Sequence, residues 1–250
     1  MSSQSKGTGE GGPSPYDERR VTIDDRLEAR VSAHPPSSTG WCAVLTHPHP
    51  KLGGDLHNNV VEALRITLNE LGVATVRFNT RGVGKSLGSS TWTGTNERED
   101  VRAAVEFANR MDGVNNVALV AYSFGAAVGL SISADLVKEN KLHAVVCVGY
   151  PKGFFAQFIF SHHYPRIDPQ SSIPKLFVIG DSDNFTSTST MRALVDKVTD
   201  PKQLVVIEGA DHFCFEQEDL ITLPVSEFFK SHVLNTKVSS RGSASASSLM

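Results

Sequence analysis

The chain has 250 residues, 40% hydrophobic and 20% charged, with a formal net charge of −3, a balance that suits one globular domain and excludes a disordered chain. That charge offers no footprint for nucleic acid or an anionic membrane, and no apolar stretch is long enough for a secretory core or a membrane span. Three cysteines cannot form a full disulfide framework, and Cys42 and Cys147 fall in apolar runs, so a reducing, cytoplasmic setting is expected.

Residues 1–17 are rich in Ser and Gly and residues 236–250 in Ser, and both read as disordered tails around a domain at 18–235. The ending Ser248-Leu249-Met250 is similar to a peroxisomal Ser-Lys-Leu address but lacks its basic middle residue. Within the domain, "RRVTIDDRLEARVSA" alternates apolar and polar residues around Asp24-Asp25, as two short edge strands would. "WCAVLT" is a buried strand. Val60, Leu64, Leu68 and Leu71 then fall at helical spacing, with Gly72 as C-cap.

"VATVRFN" is the next strand, followed by "TRGVGKS", which has the tail of a phosphate-binding loop. A phosphate loop needs glycine where Asn79 stands and a helix immediately after its Ser/Thr. Here "LGSSTWTGT" follows Ser86, which is poor helix material, so no nucleotide site is read there. Asn96 with Glu99 suggests a capping box opening a helix that carries Val101, Ala104, Val105, Ala108 and Met111 on one face.

The alternation continues. "NVALVAY" leads to "FGAAVGLSISADLVK", and "HAVVCVGY" leads to a Phe-rich connection. "KLFVIG" leads to a helix with Met191, Leu194, Val195 and Val198 on one face. "QLVVIEG" leads to a terminal helix "LPVSEFFKSHVL" with Pro224 near its start. Strands alternating with helices make a mainly parallel α/β sheet covered on both faces, whose ligand and catalytic groups gather at the carboxyl ends of the strands.

Three such ends carry the groups of a hydrolytic relay. Ser123 lies in Ala121-Tyr122-Ser123-Phe124-Gly125, between a strand and a helix. A serine on that sharp turn is pushed out over the sheet only if the residues two before and two after it are small. The helix start and the Phe124 backbone N–H favour developing negative charge there. A hydroxyl needs a base and the base an orienting acid. Asp181 and Asp183 follow "KLFVIG", and His212 follows "QLVVIEG". The order Ser, Asp, His is that of the α/β-hydrolase topology.

From about Val21 to Val233 the chain resembles the α/β-hydrolase superfamily. More narrowly, it resembles small, nearly lidless hydrolases with "HPHPKLGGD" (His47 to Asp55), "RFNTRGVGKS" (Arg77 to Ser86) and "GADHF" (Gly209 to Phe213) loops. The resemblance implies an α/β-hydrolase fold with a minimal lid. It also implies that the "RGVGKS" loop buttresses the site. The family's Gly-x-x-Asp pattern falls on Gly180 and Asp183, which favours Asp183 over Asp181 as the acid. In that architecture the "HPHP" loop donates the second oxyanion N–H. Pro48 and Pro50 have none to give, which leaves His49, with Leu52 behind it.

The expected activity is a serine hydrolase acting on small or accessible carboxylic esters or thioesters, with Ser123 as nucleophile, His212 as base and Asp183 as acid. A serine peptidase and a catalytically silent binding protein are the alternatives. No cofactor is called for. His47, His49, His162 and His163 lie on separate loops without a matching carboxylate or cysteine spacing, so no metal site is read from them. Phe154, Phe155, Phe158 and Phe160 are candidates for an acyl pocket, with ordinary packing as the rival role.

Overall fold

The computed structural model describes residues 17–32, 38–152 and 172–235. Both tails apart from Asp17, the Phe-rich segment and His162 and His163 lie outside them. Eight strands, in order β1-β2-β4-β3-β5-β6-β7-β8, form one sheet. β1 (Glu18–Ile23) and β2 (Leu27–Ser32) are the antiparallel edge, and β2 pairs antiparallel with β4 (Ala74–Phe78). The remaining strands run parallel: β3 (Trp41–Thr46), β5 (Asn116–Tyr122), β6 (Ala144–Val148), β7 (Lys175–Gly180) and β8 (Lys202–Ile207).

The uniformly apolar strands are explained by the two cores they feed. Successive side chains point to opposite faces of a sheet. Cys42, Val44, Leu119, Cys147 and Phe177 therefore join one cluster, while Ala43, Leu45, Val120, Val146 and Val178 join the other. The first cluster packs under helices α2 (Glu97–Asn109), α3 (Phe124–Lys138) and α4 (Thr188–Val195). The second packs under α1 (Asn59–Glu70) and α5 (Glu218–Phe228). Strand order reverses between β4 and β5, on either side of β3, so a crevice opens there at the strand ends.

Local signals explain most helix ends. α1 stops in a Schellman pattern, with Gly72 N–H on the Asn69 carbonyl (2.9 Å) and Val73 N–H on the Leu68 carbonyl (3.0 Å).

Two expected ends are corrected. Asn96 makes no side-chain cap bond, because its backbone is already helical (φ −81°, ψ −27°) where a capping side chain needs an extended residue. Glu99 reaches Arg81 instead (2.9 Å). The last helix begins at Glu218, six residues before Pro224, so the proline sits mid-helix rather than near the start. It removes one backbone bond, to Leu220.

The edge is fastened through the "RFN" segment. Arg77 is buried in β4, and its guanidinium binds the Leu56 carbonyl (2.9 Å), Glu18 of β1 and Glu62 of α1. A buried arginine needs all its N–H groups satisfied, and this one ties three elements together in meeting that demand.

Candidate active site

Ser123 stands between β5 and α3 with φ 54° and ψ −122°, a conformation that costs a non-glycine residue of order 1–3 kcal/mol. The fold holds it there. Its N–H bonds the Val148 carbonyl (2.9 Å), and its carbonyl accepts from Ala126 (2.9 Å) and Ala127 (3.2 Å). Space forces the small neighbours. A Cβ on Gly125 would lie 2.2 Å from Thr46 Oγ1 and 2.8 Å from the His47 carbonyl oxygen. Ala121 is fully buried.

Three sequence-selected side chains meet at this turn. Ser123 Oγ lies 2.8 Å from His212 Nε2, and His212 Nδ1 lies 2.7 Å from Asp183 Oδ2. A carboxylate only accepts, so Nδ1 carries the hydrogen and Nε2 is left to accept from the serine. The other carboxylate oxygen of Asp183 takes the N–H groups of Phe185 (2.7 Å) and Thr186 (3.0 Å). These bonds aim the acid at the ring. Asp181 points elsewhere: its Oδ1 accepts from Gly209 N–H (2.9 Å) and its own N–H bonds the Ile207 carbonyl (2.9 Å). It joins the ends of β7 and β8.

Several contributors had no motif to reveal them. The buried Tyr122 hydroxyl donates to the His212 carbonyl oxygen (2.9 Å), and its ring lies under the imidazole, centroids 5.8 Å apart. Burial pushes that phenol's pKa up, so it remains a donor. Phe185 covers the imidazole from another side at 4.3 Å. Gly149 has φ 57°, and a Cβ there would come within 3.2 Å of His212 Cε1. A side chain there would press on the ring, and the positive φ also favours glycine. The fifth position of "GADHF", Phe213, packs edge-on to His212.

The "HPHP" loop supplies two histidines with different duties. His47 is 1% exposed. Its Nε2 accepts from Thr80 N–H (3.1 Å), so Nδ1 donates to the Pro48 carbonyl (2.7 Å). Burial drives its pKa down to about 4, and the neutral ring pins this loop to the one after β4.

His49 Nδ1 accepts from Lys51 N–H (3.1 Å), which leaves Nε2–H to donate to the Trp92 carbonyl (3.1 Å). Its ring lies 4.4 Å from that of Phe124, so both expected oxyanion residues are at the site. Leu52 is removed as a substitute donor, because its N–H is bonded to the His49 carbonyl (3.0 Å). Among the described residues, no group of three or more His, Cys, Asp or Glu side chains is arranged to hold a metal.

The "RGVGKS" loop is filled from within. Asn79 accepts from Leu56 N–H (2.8 Å) and donates to Glu28 (2.9 Å), which also takes Lys85 N–H (2.9 Å). Ser86 Oγ donates to the Asn79 carbonyl (2.7 Å) and accepts from Glu28 N–H (2.9 Å). Arg81 grips the fully buried Asp100 through Nε (3.0 Å) and Nη2 (2.9 Å). Lys85 is exposed. The N–H groups of Gly82, Val83, Lys85 and Ser86 all meet protein acceptors.

Above Ser123 opens a cavity of about 270 Å³, lined by Pro48, His49, Leu52, Trp92, Tyr122, Phe124, Pro151, Phe185, His212 and Phe213, with Gly53, Gly54 and Asn58 at its side. A parallel sheet that reverses order at β3, with a strained serine at the β5 exit, defines an α/β-hydrolase fold. The chain belongs to the alpha/beta hydrolase domain family, which it matches over residues 43–219.

It is 27% identical over 197 residues to an uncharacterized protein of Rickettsia prowazekii, covering 76% of this chain and 78% of that one. It is similar to the solved structure of an alpha-beta serine hydrolase homologue from Coxiella burnetii (28% identity, TM-score 0.69, 85% of this chain and 96% of that one). It also shares its fold with a serine hydrolase without lid from Xanthomonas campestris (24%, TM-score 0.72, 88% and 97%). Among the described residues no helix is long and apolar enough to cross a membrane.

Proposed function

We propose that the chain is a serine hydrolase working by acyl transfer on small or accessible carboxylic esters or thioesters. The hydrogen-bonded line from Ser123 through His212 to Asp183 carries this reading. Ser123 Oγ attacks the substrate carbonyl while His212 Nε2 takes its proton, and Asp183 stabilises the imidazolium that forms. The carbonyl oxygen becomes an oxyanion beside the start of α3. The backbone N–H groups of Phe124 and His49 are assigned to it, each worth about 3–4 kcal/mol in comparable sites.

Collapse of the tetrahedral species expels the alcohol or thiol, which leaves with the proton from His212. Water then attacks the acyl-enzyme, activated by the same nitrogen, and restores Ser123. A cavity of about 270 Å³ lies just below the usual range for ligand pockets, which suits a small acyl group.

The test is turnover of p-nitrophenyl acetate by purified protein. Wild type should hydrolyse it, and Ser123→Ala should fall to the rate of buffer while melting normally. Full activity in Ser123→Ala would reject Ser123 as nucleophile.

A further inference from the structure

We infer that the cavity above Ser123 selects uncharged substrates bearing an aromatic ring two or three atoms from the scissile carbonyl; this rests on the hydrolase reading above. Two groups of rings line the cavity. His49, Phe124 and Trp92 form the first, with the His49 centroid 4.4 Å from Phe124 and 5.1 Å from Trp92. Phe185 and Phe213 form the second beside His212, their own centroids 6.2 Å apart and edge-to-face. Ser123 sits in the same cavity, hydrogen-bonded to His212 of one group and followed in the chain by Phe124 of the other.

The first group is held rather than loosely packed. Both ring nitrogens of His49 are engaged, one by Lys51 N–H and the other by the carbonyl of Trp92 itself. The strand-exit loop carrying Trp92 is therefore fixed to the loop carrying His49. Beneath it, the buried Glu97 carboxylate takes both the N–H and the hydroxyl of Thr91, which fixes the residue next to the indole.

No Asp, Glu, Lys or Arg occurs among the described residues that line the cavity. A charged group seated among them would lose water with no side-chain charge in the lining to replace it; the Lys51 ammonium stands outside the lining, 5.7 Å from the centroid of the Trp92 ring. The volume is enough for one ring and a short linker. Rings that offer faces and edges reward an aromatic guest beyond the area it buries, because aromatic pairs gain from their quadrupoles. A saturated ring of similar size gains only the area.

The experiment uses matched pairs with the full chain: ethyl 3-phenylpropanoate against ethyl 3-cyclohexylpropanoate, and 2-phenylethyl acetate against 2-cyclohexylethyl acetate. In at least one pair kcat/KM should favour the aryl member about fivefold. In Trp92→Leu that ratio should fall toward one, whatever the absolute rates. Trp92 is 53% exposed, so folding tolerates the change, and a melt verifies it.

The same esters titrated into Ser123→Ala give binding without turnover, and the aryl members should bind tighter there by a similar factor. Equal constants within both pairs, in hydrolysis and in binding, would overturn the aromatic assignment. Aryl-selective binding by Ser123→Ala with no ester hydrolysis by wild type would support the cavity assignment and reject the hydrolase reading instead.

Discussion

The exits of β4 and β5 lie two strands apart in one sheet, and both run into small, glycine-bearing turns. After β4 the backbone donors and charged side chains bond to one another: Lys85 N–H to Glu28, Asn79 to Leu56 and Glu28, Arg81 to Asp100. After β5 a single strained residue puts a hydroxyl into a cavity that it shares with His212 and a set of rings. The loop that reads like a phosphate site is a closed network, and the loop without charge is where chemistry can occur. Glycine content does not separate them. What separates them is the company each turn keeps: charged groups paired with one another after β4, and a hydroxyl paired with His212 inside a cavity after β5.

That contrast breaks first at the acid of the β5 side. Asp183→Asn should lower kcat by about 10⁴, because an amide facing Nδ1 favours the wrong imidazole tautomer. Asp181→Asn should keep activity within a few-fold, since its side chain makes turn contacts to Gly209 and Ser182 and none to His212. Ester turnover of both variants decides the matter, and the reverse ranking would reassign the acid.

Next in size is the buttress. Asp100 is fully buried between Arg26 and Arg81, and removing its charge leaves Arg26 without this partner and Arg81 with Glu99 alone. Asp100→Asn should cost about 3 kcal/mol of stability, read as a fall in the urea midpoint. A change below about 0.5 kcal/mol, the range of ordinary surface substitutions, would mean that the network is ornamental.

A smaller effect concerns the joint between the two loops. The folded His47 pKa is pushed down to about 4 from 6.5 by burial, so between those values the unfolded chain binds more protons than the folded one. Its contribution is complete above about pH 6.5 and is lost as pH falls toward 4. The loss from this group should be about 2 kcal/mol between pH 7 and pH 5. Urea unfolding at the two pH values should show this slope in wild type and a shallower one in His47→Asn. Parallel slopes would place the pH dependence elsewhere. The smallest effect is Lys85→Ala, which should leave turnover and melting unchanged. ATP binding that vanishes in this variant would reopen the loop as a phosphate site.

Much of the fold was legible because parallel strands buried on both faces are continuous apolar runs, and "NVALVAY" and "FGAAVGLSISADLVK" coincide with β5 and α3. Ser123, Asp183 and His212 were readable as candidates because each follows such a run. The helix at Glu97 starts where Asn96 marks it but without the expected capping bond, and the last helix starts at Glu218, ahead of the apolar run that signals it. Tyr122, Gly149 and Phe185 escaped notice for a different reason. Their importance comes from contact with His212, which lies far from each of them in the chain, and no local pattern encodes such a distance. The rings of the cavity are hidden in the same way, since a lone Trp92 in a Ser/Thr-rich loop looks like surface.

The central claim is that Ser123 is activated by His212 and Asp183. It is tested most directly by treating the purified chain with a fluorophosphonate and mapping the adduct by mass spectrometry. One adduct on Ser123 is expected, absent from Ser123→Ala and strongly slowed in Asp183→Asn. A folded chain that takes up no phosphonate, or that carries it on another residue, would contradict the account.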